Sequence, residues 1–365
     1  MRKQIFVSLA LICLLILPAP VSAAISYDVS LDSIDSIILG NSTYVTESRE
    51  RIRSQQNQCQ KIDGEISMTL SKLYALDKED PDYESLRDDC LQELDGLYNQ
   101  KKQAEFDLRI LNLTEEAALA EQGQTAKEAY LKYWELAEQL SDLNSKVTKA
   151  KKHLLMTEKR YRRGVISKNT WLEEKEGVED LCEQIPDAEE EISGQRETLQ
   201  ESLGIEGDIT LEIELLGEKK ETLYAFARNI SLEEDLAAVL SHSIELKKAQ
   251  ETVEFYRYQY NNRETYNQAV KEALAVKTKI AKNFRRQYAE LQRSLQKIKK
   301  DNDKKIRRAE SKKKLMWKKY KRGVISKNEY LEAKNTFAEA MKNKEKDMEQ
   351  QLPTIVKYQL TVKGY

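Results

Sequence analysis

The sequence predicts an all-α protein made of two tandem repeats of a long antiparallel coiled-coil hairpin, with minimal β structure. Three observations carry this. Charged residues are 33% of the 365 positions and the mean hydropathy is -0.69, so apolar surface is too scarce for a thick globular core. Only 12 glycines and 5 prolines interrupt the chain, and the regular spacing of Leu, Ile, Tyr and Ala favours long, narrowly packed helices over disorder. A segment also recurs: Lys159–Lys175 reads KRYRRGVISKNTWLEEK and Lys318–Lys334 reads KKYKRGVISKNEYLEAK, with 12 identities at a constant offset of 159.

The chain begins with Arg2 and Lys3, an apolar run from Ile5 to Leu17, and the small residues Val21-Ser22-Ala23. This is the pattern of a cleaved export signal over residues 1–23. The apolar run is short for a membrane anchor. Cys13 lies inside the run, not at the cleavage point, which argues against a lipid-modified N-terminal cysteine. Export places the protein in the cell envelope: the outer membrane or periplasm if the cell has an outer membrane, otherwise the cell surface. Without Arg2 and Lys3 there remain 58 basic and 62 acidic residues, a balance that points to no nucleic-acid partner for the chain as a whole. Cys59, Cys90 and Cys182 also remain, and export permits a disulfide. Cys59 and Cys90 flank Pro81 at unequal distances, so a simple hairpin does not bring them face to face.

The repeats are expected over 24–207 and 231–365, with a linker at 208–230 that holds a short strand. SLDSIDSIIL from Ser30 is echoed by SLEEDLAAVL from Ser231, so each copy opens with a short helix. A long rising helix follows, then the GVISKN segment, then a descending helix. Gly164 and Gly323 can take the left-handed conformation that ends a helix. The β-branched pairs Val165-Ile166 and Val324-Ile325 disfavour immediate continuation, and Ser167 and Ser326 are caps for the next helix. Glu329 completes a capping box that Thr170 cannot. Each segment is therefore a tight helix-turn-helix tip.

The rising helices carry a narrow seam. Tyr133, Leu136, Leu140, Leu143, Val147, Ala150 and Leu154 alternate by three and four, as do Phe284, Tyr288, Leu291, Leu295 and Ile298. The stretch from Tyr266 to Lys319 would span about 80 Å at roughly 1.5 Å per residue, too long and polar to stand alone. The first copy is 42 residues longer than the second between its opening helix and its tip. These extra residues either lengthen two helices or form an extra hairpin near Pro81.

At these residues the chain resembles the TolC-like family of outer-membrane efflux and secretion ducts. Tyr161, Gly164, Ser167 and Leu172 match the first tip of that family, and Tyr320, Gly323, Ser326 and Leu331 the second. AYLKYWELAEQL before the first tip looks like the family's rising helix, and SLEEDLAAVLSHSIELKKAQ like its repeat start. The resemblance implies a homotrimeric tube whose tips meet a periplasmic-type adaptor protein of an efflux or secretion system. One departure is serious. The family inserts a β-hairpin early in each repeat and closes a membrane barrel with three copies, and a membrane strand needs roughly 9–11 alternating residues. The matching slots here, LDKEDPDYE from Leu76 and QYNNRETY from Gln259, are short and polar. The alternating stretches lie elsewhere, near Ile209–Leu215 and Val356–Val362. No transmembrane barrel is evident.

Enzymatic chemistry is set aside. His153 and His242 have no Cys or His at metal-ligand spacing, and no phosphate loop or nucleophile motif is present. No catalytic, cofactor-binding or metal-binding residue is expected, and no cofactor. The charge pattern is more informative. Lys297–Arg322 holds 14 basic and 3 acidic residues, Lys146–Arg163 holds 8 and 1, and Glu173–Glu191 holds 10 acidic and 1 basic. Basic rising helices can lie against an acidic descending helix, within or between subunits. Arg163 and Arg322 also give both tips a positive rim suited to an acidic adaptor or an anionic membrane surface. The expected docking surface is Tyr161, Arg163, Gly164, Val165, Ile166 and Ser167 with Tyr320, Arg322, Gly323, Val324, Ile325 and Ser326. The competing reading is a structural or adaptor coiled coil of the envelope that conducts nothing.

Overall fold

The structure, a computed structural model, describes residues 26–207, 209–257 and 263–364. The expected signal peptide lies outside the described residues. The first copy runs through β1 (Ser26–Val29), α1 (Ile34–Asn41), α2 (Thr43–Ala75), α3 (Tyr83–Arg162) and α4 (Lys168–Ser202). The linker holds β2 (Thr210–Ile213), a 3₁₀ turn (Leu216–Lys219) and α5 (Lys220–Arg228). The second copy repeats the order with α6 (Leu232–His242), α7 (Ile244–Arg257), α8 (Arg263–Lys321) and α9 (Lys327–Glu349), and α10 (Leu352–Lys363) closes the chain.

The extra length of the first copy resides in its helices. α2 has 33 residues where α7 has 14, and α3 has 80 where α8 has 59. No extra hairpin forms at Pro81; residues 76–82 are a turn. At about 1.5 Å per residue α3 is roughly 120 Å long. Its first half packs on α2 and its second on α4, so no part of it stands unsupported. A separate apolar cluster of Ile62, Ile66, Leu94, Leu97 and Ala104 zips α2 to α3 in the extension. Cys59, Cys90 and Cys182 are free thiols.

The main core sits where the short elements wrap both rising helices. Ala126, Tyr130, Leu131 and Trp134 of α3 and Phe284 and Leu291 of α8 meet Val29, Ile34, Ile38, Leu199, Leu203 and Leu211. α10 seals this core with Leu352, Ile355, Val356, Tyr358 and Leu360. The sequence alternation over Val356–Val362 suggested a strand there, and the structure corrects it. The buried set 352, 355, 356 and 360 has helical spacing, Pro353 starts the helix, and Gly364 ends it at φ +98°. In so short a run the two periods coincide.

The expected strand near Ile209–Leu215 is β2. It pairs in parallel with β1, Tyr27 opposite Leu211, and ties the start of the first copy to the linker. This two-stranded pair is the only sheet among the described residues. Of the second barrel slot, Gln259–Asn262 lies outside the described residues and Arg263 to Tyr266 begins α8.

A charged clamp holds α2 to α3. Arg51 grips Glu115 with two hydrogen bonds of 2.9 Å, Tyr44 donates to the same carboxylate at 2.5 Å, and the Arg51 guanidinium lies 5.2 Å from the Tyr44 ring centre. The Arg51 hydrogen bonds, then that of Tyr44, hold the Glu115 carboxyl down at about 2.

Candidate docking surface at the hairpin tips

Each tip is built by backbone geometry that its glycine permits. Gly164 sits at φ +69° and Gly323 at +72°, the left-handed region that other residues enter at a cost. The Val165 N–H donates to the Arg160 carbonyl at 2.9 Å and the Gly164 N–H to Tyr161 at 2.8 Å. In the second copy Val324 donates to Lys319 at 3.0 Å and Gly323 to Tyr320 at 2.9 Å. These paired bonds are the Schellman closure, which satisfies carbonyls the helix end would leave open. The next helix starts at once: Ser167 Oγ accepts from the Thr170 N–H, and Ser326 Oγ from the Glu329 N–H. The Ser326 N–H donates back to Glu329 at 2.7 Å, completing the capping box expected only in the second copy. That hydrogen bond holds the Glu329 carboxyl below its ordinary value.

Aromatic pairs lock the two arms. Tyr161 stacks on Trp171 with centroids 5.4 Å apart, and Tyr320 on Tyr330 at 5.7 Å. Trp317 adds a third ring to the second tip, 5.2 Å from Tyr330. Trp171 and Tyr330, the ring partners of Tyr161 and Tyr320, were not among the expected docking residues. The signal was present, because an aromatic recurs seven residues after each glycine.

Of the two apolar pairs expected at the surface, only the valines are exposed, Val165 at 61% and Val324 at 67%. Ile166 and Ile325 are half-buried against the turn. Met156 and Leu315, equivalent positions 159 apart, are also exposed and extend the apolar surface down each rising helix. Arg163 and Arg322 are exposed, and neither makes an ion pair among the described residues, whereas Arg162 pairs with Glu158. A positive rim around an exposed apolar residue therefore exists at both tips.

The tips are level. Asp142 of α3 forms an ion pair with Lys346 of α9. Asp142 lies 22 residues before Gly164 and Lys346 lies 23 after Gly323, so the two glycines stand at similar heights, to within about the reach of those two side chains. In the distal part each hairpin packs internally, α4 on α3 and α9 on α8, and the Asp142–Lys346 ion pair joins α3 to α9.

No protein-family profile matches the chain, and no curated protein matches it significantly. Solved structures do. The outer membrane protein VceC from Vibrio cholerae aligns over 92% of this chain and 96% of its own, at a TM-score of 0.51 and 11% identity. The chain has the VceC fold. A membrane protein from Pseudomonas aeruginosa (12% identity, 95% of this chain and 98% of that one, TM-score 0.49) and the Campylobacter jejuni CmeC outer membrane channel (10%, 92% and 85%, TM-score 0.44) also match. The likeness to VceC is one of fold, and it spans nearly the whole of both chains. Within this VceC-like frame no group of three or more His, Cys, Asp or Glu side chains is placed to hold a metal ion, and no helix is long and apolar enough to cross a membrane, among the described residues. His153 instead pairs with Glu174 on the hairpin surface.

Proposed function

We propose that the chain is an exported component of a cell-envelope efflux or secretion duct, which self-associates as a trimer and docks an adaptor through its paired tips. The observation that carries this is the level pair of tips, each with an exposed valine and an unpaired arginine, on a chain with the VceC fold. Folding requires the glycine and the capping serine. It does not require Arg163 and Arg322 to recur, nor Val165 and Val324 to face solvent. Exposed apolar side chains ringed by charge are the makings of a surface that becomes covered, with the charge steering an acidic partner to it.

The competing reading, an envelope coiled coil that conducts nothing, draws on the sheet: the described residues contain a single two-stranded pair and no barrel strand. The two readings part at the tips. Arg163→Glu with Arg322→Glu should leave the helical spectrum unchanged, since exposed charge changes cost under about 0.5 kcal/mol. Affinity capture from envelopes should then lose an adaptor-like protein, more completely in the double than in either single variant. Retention of every partner and of any export phenotype by the double variant would favour the coiled-coil reading.

A further inference from the structure

The outer edges of the distal helical row carry opposite charge in matched register. α4 buries or half-buries Trp171, Glu174, Val178, Leu181, Ile185 and Ala188 against α3, spaced by threes and fours. On the opposite side of α4, with the same spacing, stand Glu173, Glu176, Asp180, Glu183, Asp187 and Glu190, all exposed. α8 turns Asn302, Ile306, Ala309, Lys313, Met316 and Tyr320 towards α9. On its opposite side stand Lys297, Lys300, Lys304, Arg307 and Lys314, also exposed. At about 100° per residue each charged stripe lies diametrically across its helix from the seam. Within one chain α4 and α8 are not packed on one another, and no ion pair among the described residues joins the two stripes.

Counted from the tip glycines the two stripes coincide. Glu173 follows Gly164 by nine residues, and Lys314 precedes Gly323 by nine. Asp180 and Arg307 are both sixteen residues away, Glu183 and Lys304 nineteen, Asp187 and Lys300 twenty-three, and Glu190 and Lys297 twenty-six. Glu176 is level with Ser311. Because α4 descends and α8 rises, equal counts from level tips mean equal heights. Of these eleven charged residues, only Lys314 forms an ion pair among the described residues, with Glu310 of its own helix.

We infer that the acidic stripe of α4 docks on the basic stripe of α8 in a second copy of this chain, forming an antiparallel charged seam between neighbouring subunits. The contact is head-to-tail, so successive copies turn about one axis and can close a ring with all tips at one end. The seam rests on the proposed tubular assembly and specifies which surfaces build it. Exposed pairs are individually weak, but five in one register act as a network that selects the partner and the height at which it docks.

The test is a charge swap in the purified full chain, read by sedimentation velocity across micromolar concentrations. Asp180→Lys, Glu183→Lys and Asp187→Lys together should weaken self-association about tenfold or more, as should Lys300→Glu, Lys304→Glu and Arg307→Glu together. The six-fold swap should restore association to within about threefold of the wild type. Circular dichroism confirms that each variant is helical, and the wild type should itself dissociate as salt is raised. A wild type that assembles but ignores either reversal, or a swap that fails to rescue, overturns the seam while leaving the duct reading intact. A wild type that stays monomeric throughout overturns both. An α8-reversed variant that assembles normally but loses binding to anionic vesicles would assign the basic stripe to a lipid surface and also overturn the seam.

Discussion

Phe284→Ala should cost about 3–5 kcal/mol of unfolding free energy, the largest effect expected of any single substitution. Phe284 is 1% exposed and lies where α8 crosses the core. Its ring centre is 5.4 Å from that of Tyr358, which packs in turn on Tyr288 and Phe226. One residue thus joins α8 to α10 and, through Tyr358, to α5. Truncation leaves a cavity that long, stiff helices cannot collapse to fill, and the Tyr358 ring loses a neighbour. The Tyr358 hydroxyl also donates to Asp235 at 2.7 Å, so any shift of the ring strains that bond as well. Denaturant titration of Phe284→Ala against Phe284→Leu should show most of the loss in the alanine variant. A loss under about 1 kcal/mol would mean that the core is not where the structure puts it.

Glu115→Gln should cost about 2 kcal/mol at neutral pH, because it removes the charge that two Arg51 hydrogen bonds and the Tyr44 hydroxyl address. Glu115 is 5% exposed, whereas the Arg51 side chain is 43% exposed, so part of the interaction is screened by solvent. The pH dependence has a definite sign. The folded carboxyl is held at about 2, below its ordinary value of 4.5. The stabilisation is therefore fully present above about 4.5 and is lost as pH falls from there towards about 2. Stability of the wild type followed through that window should fall more steeply than that of Glu115→Gln. Parallel curves would show that the clamp contributes nothing through this charge.

Much of this architecture was legible in the sequence because long helices write their partners at regular intervals. Leu136, Val147, Phe284 and Leu291, named from spacing alone, are buried. The tips were legible for a local reason: a glycine at positive φ and a capping serine act within a few residues and need no tertiary context. β1 was not legible, since its four residues form a strand only by pairing with Thr210–Ile213 far along the chain. Nor was α10, where a short window could not separate a period of two from one of about 3.6, and burial on several sides decided the outcome. The charge segments were legible as composition. Their meaning changed once the seams were known, because only then could the stripes be placed opposite them and counted from level tips. Ile166 and Ile325 show the reverse case: the sequence suggested exposure, and a turn this tight half-buries them.

Copies of this chain assembled as proposed, side by side with every tip at one end, would enclose a hollow tube. Electron microscopy of the purified protein at micromolar concentration should then show end-on views of a closed ring around an open lumen, and side views of a rod with the paired tips together at one end. Isolated four-helix rods, or bundles with tips at both ends and no lumen, would rule out the tube.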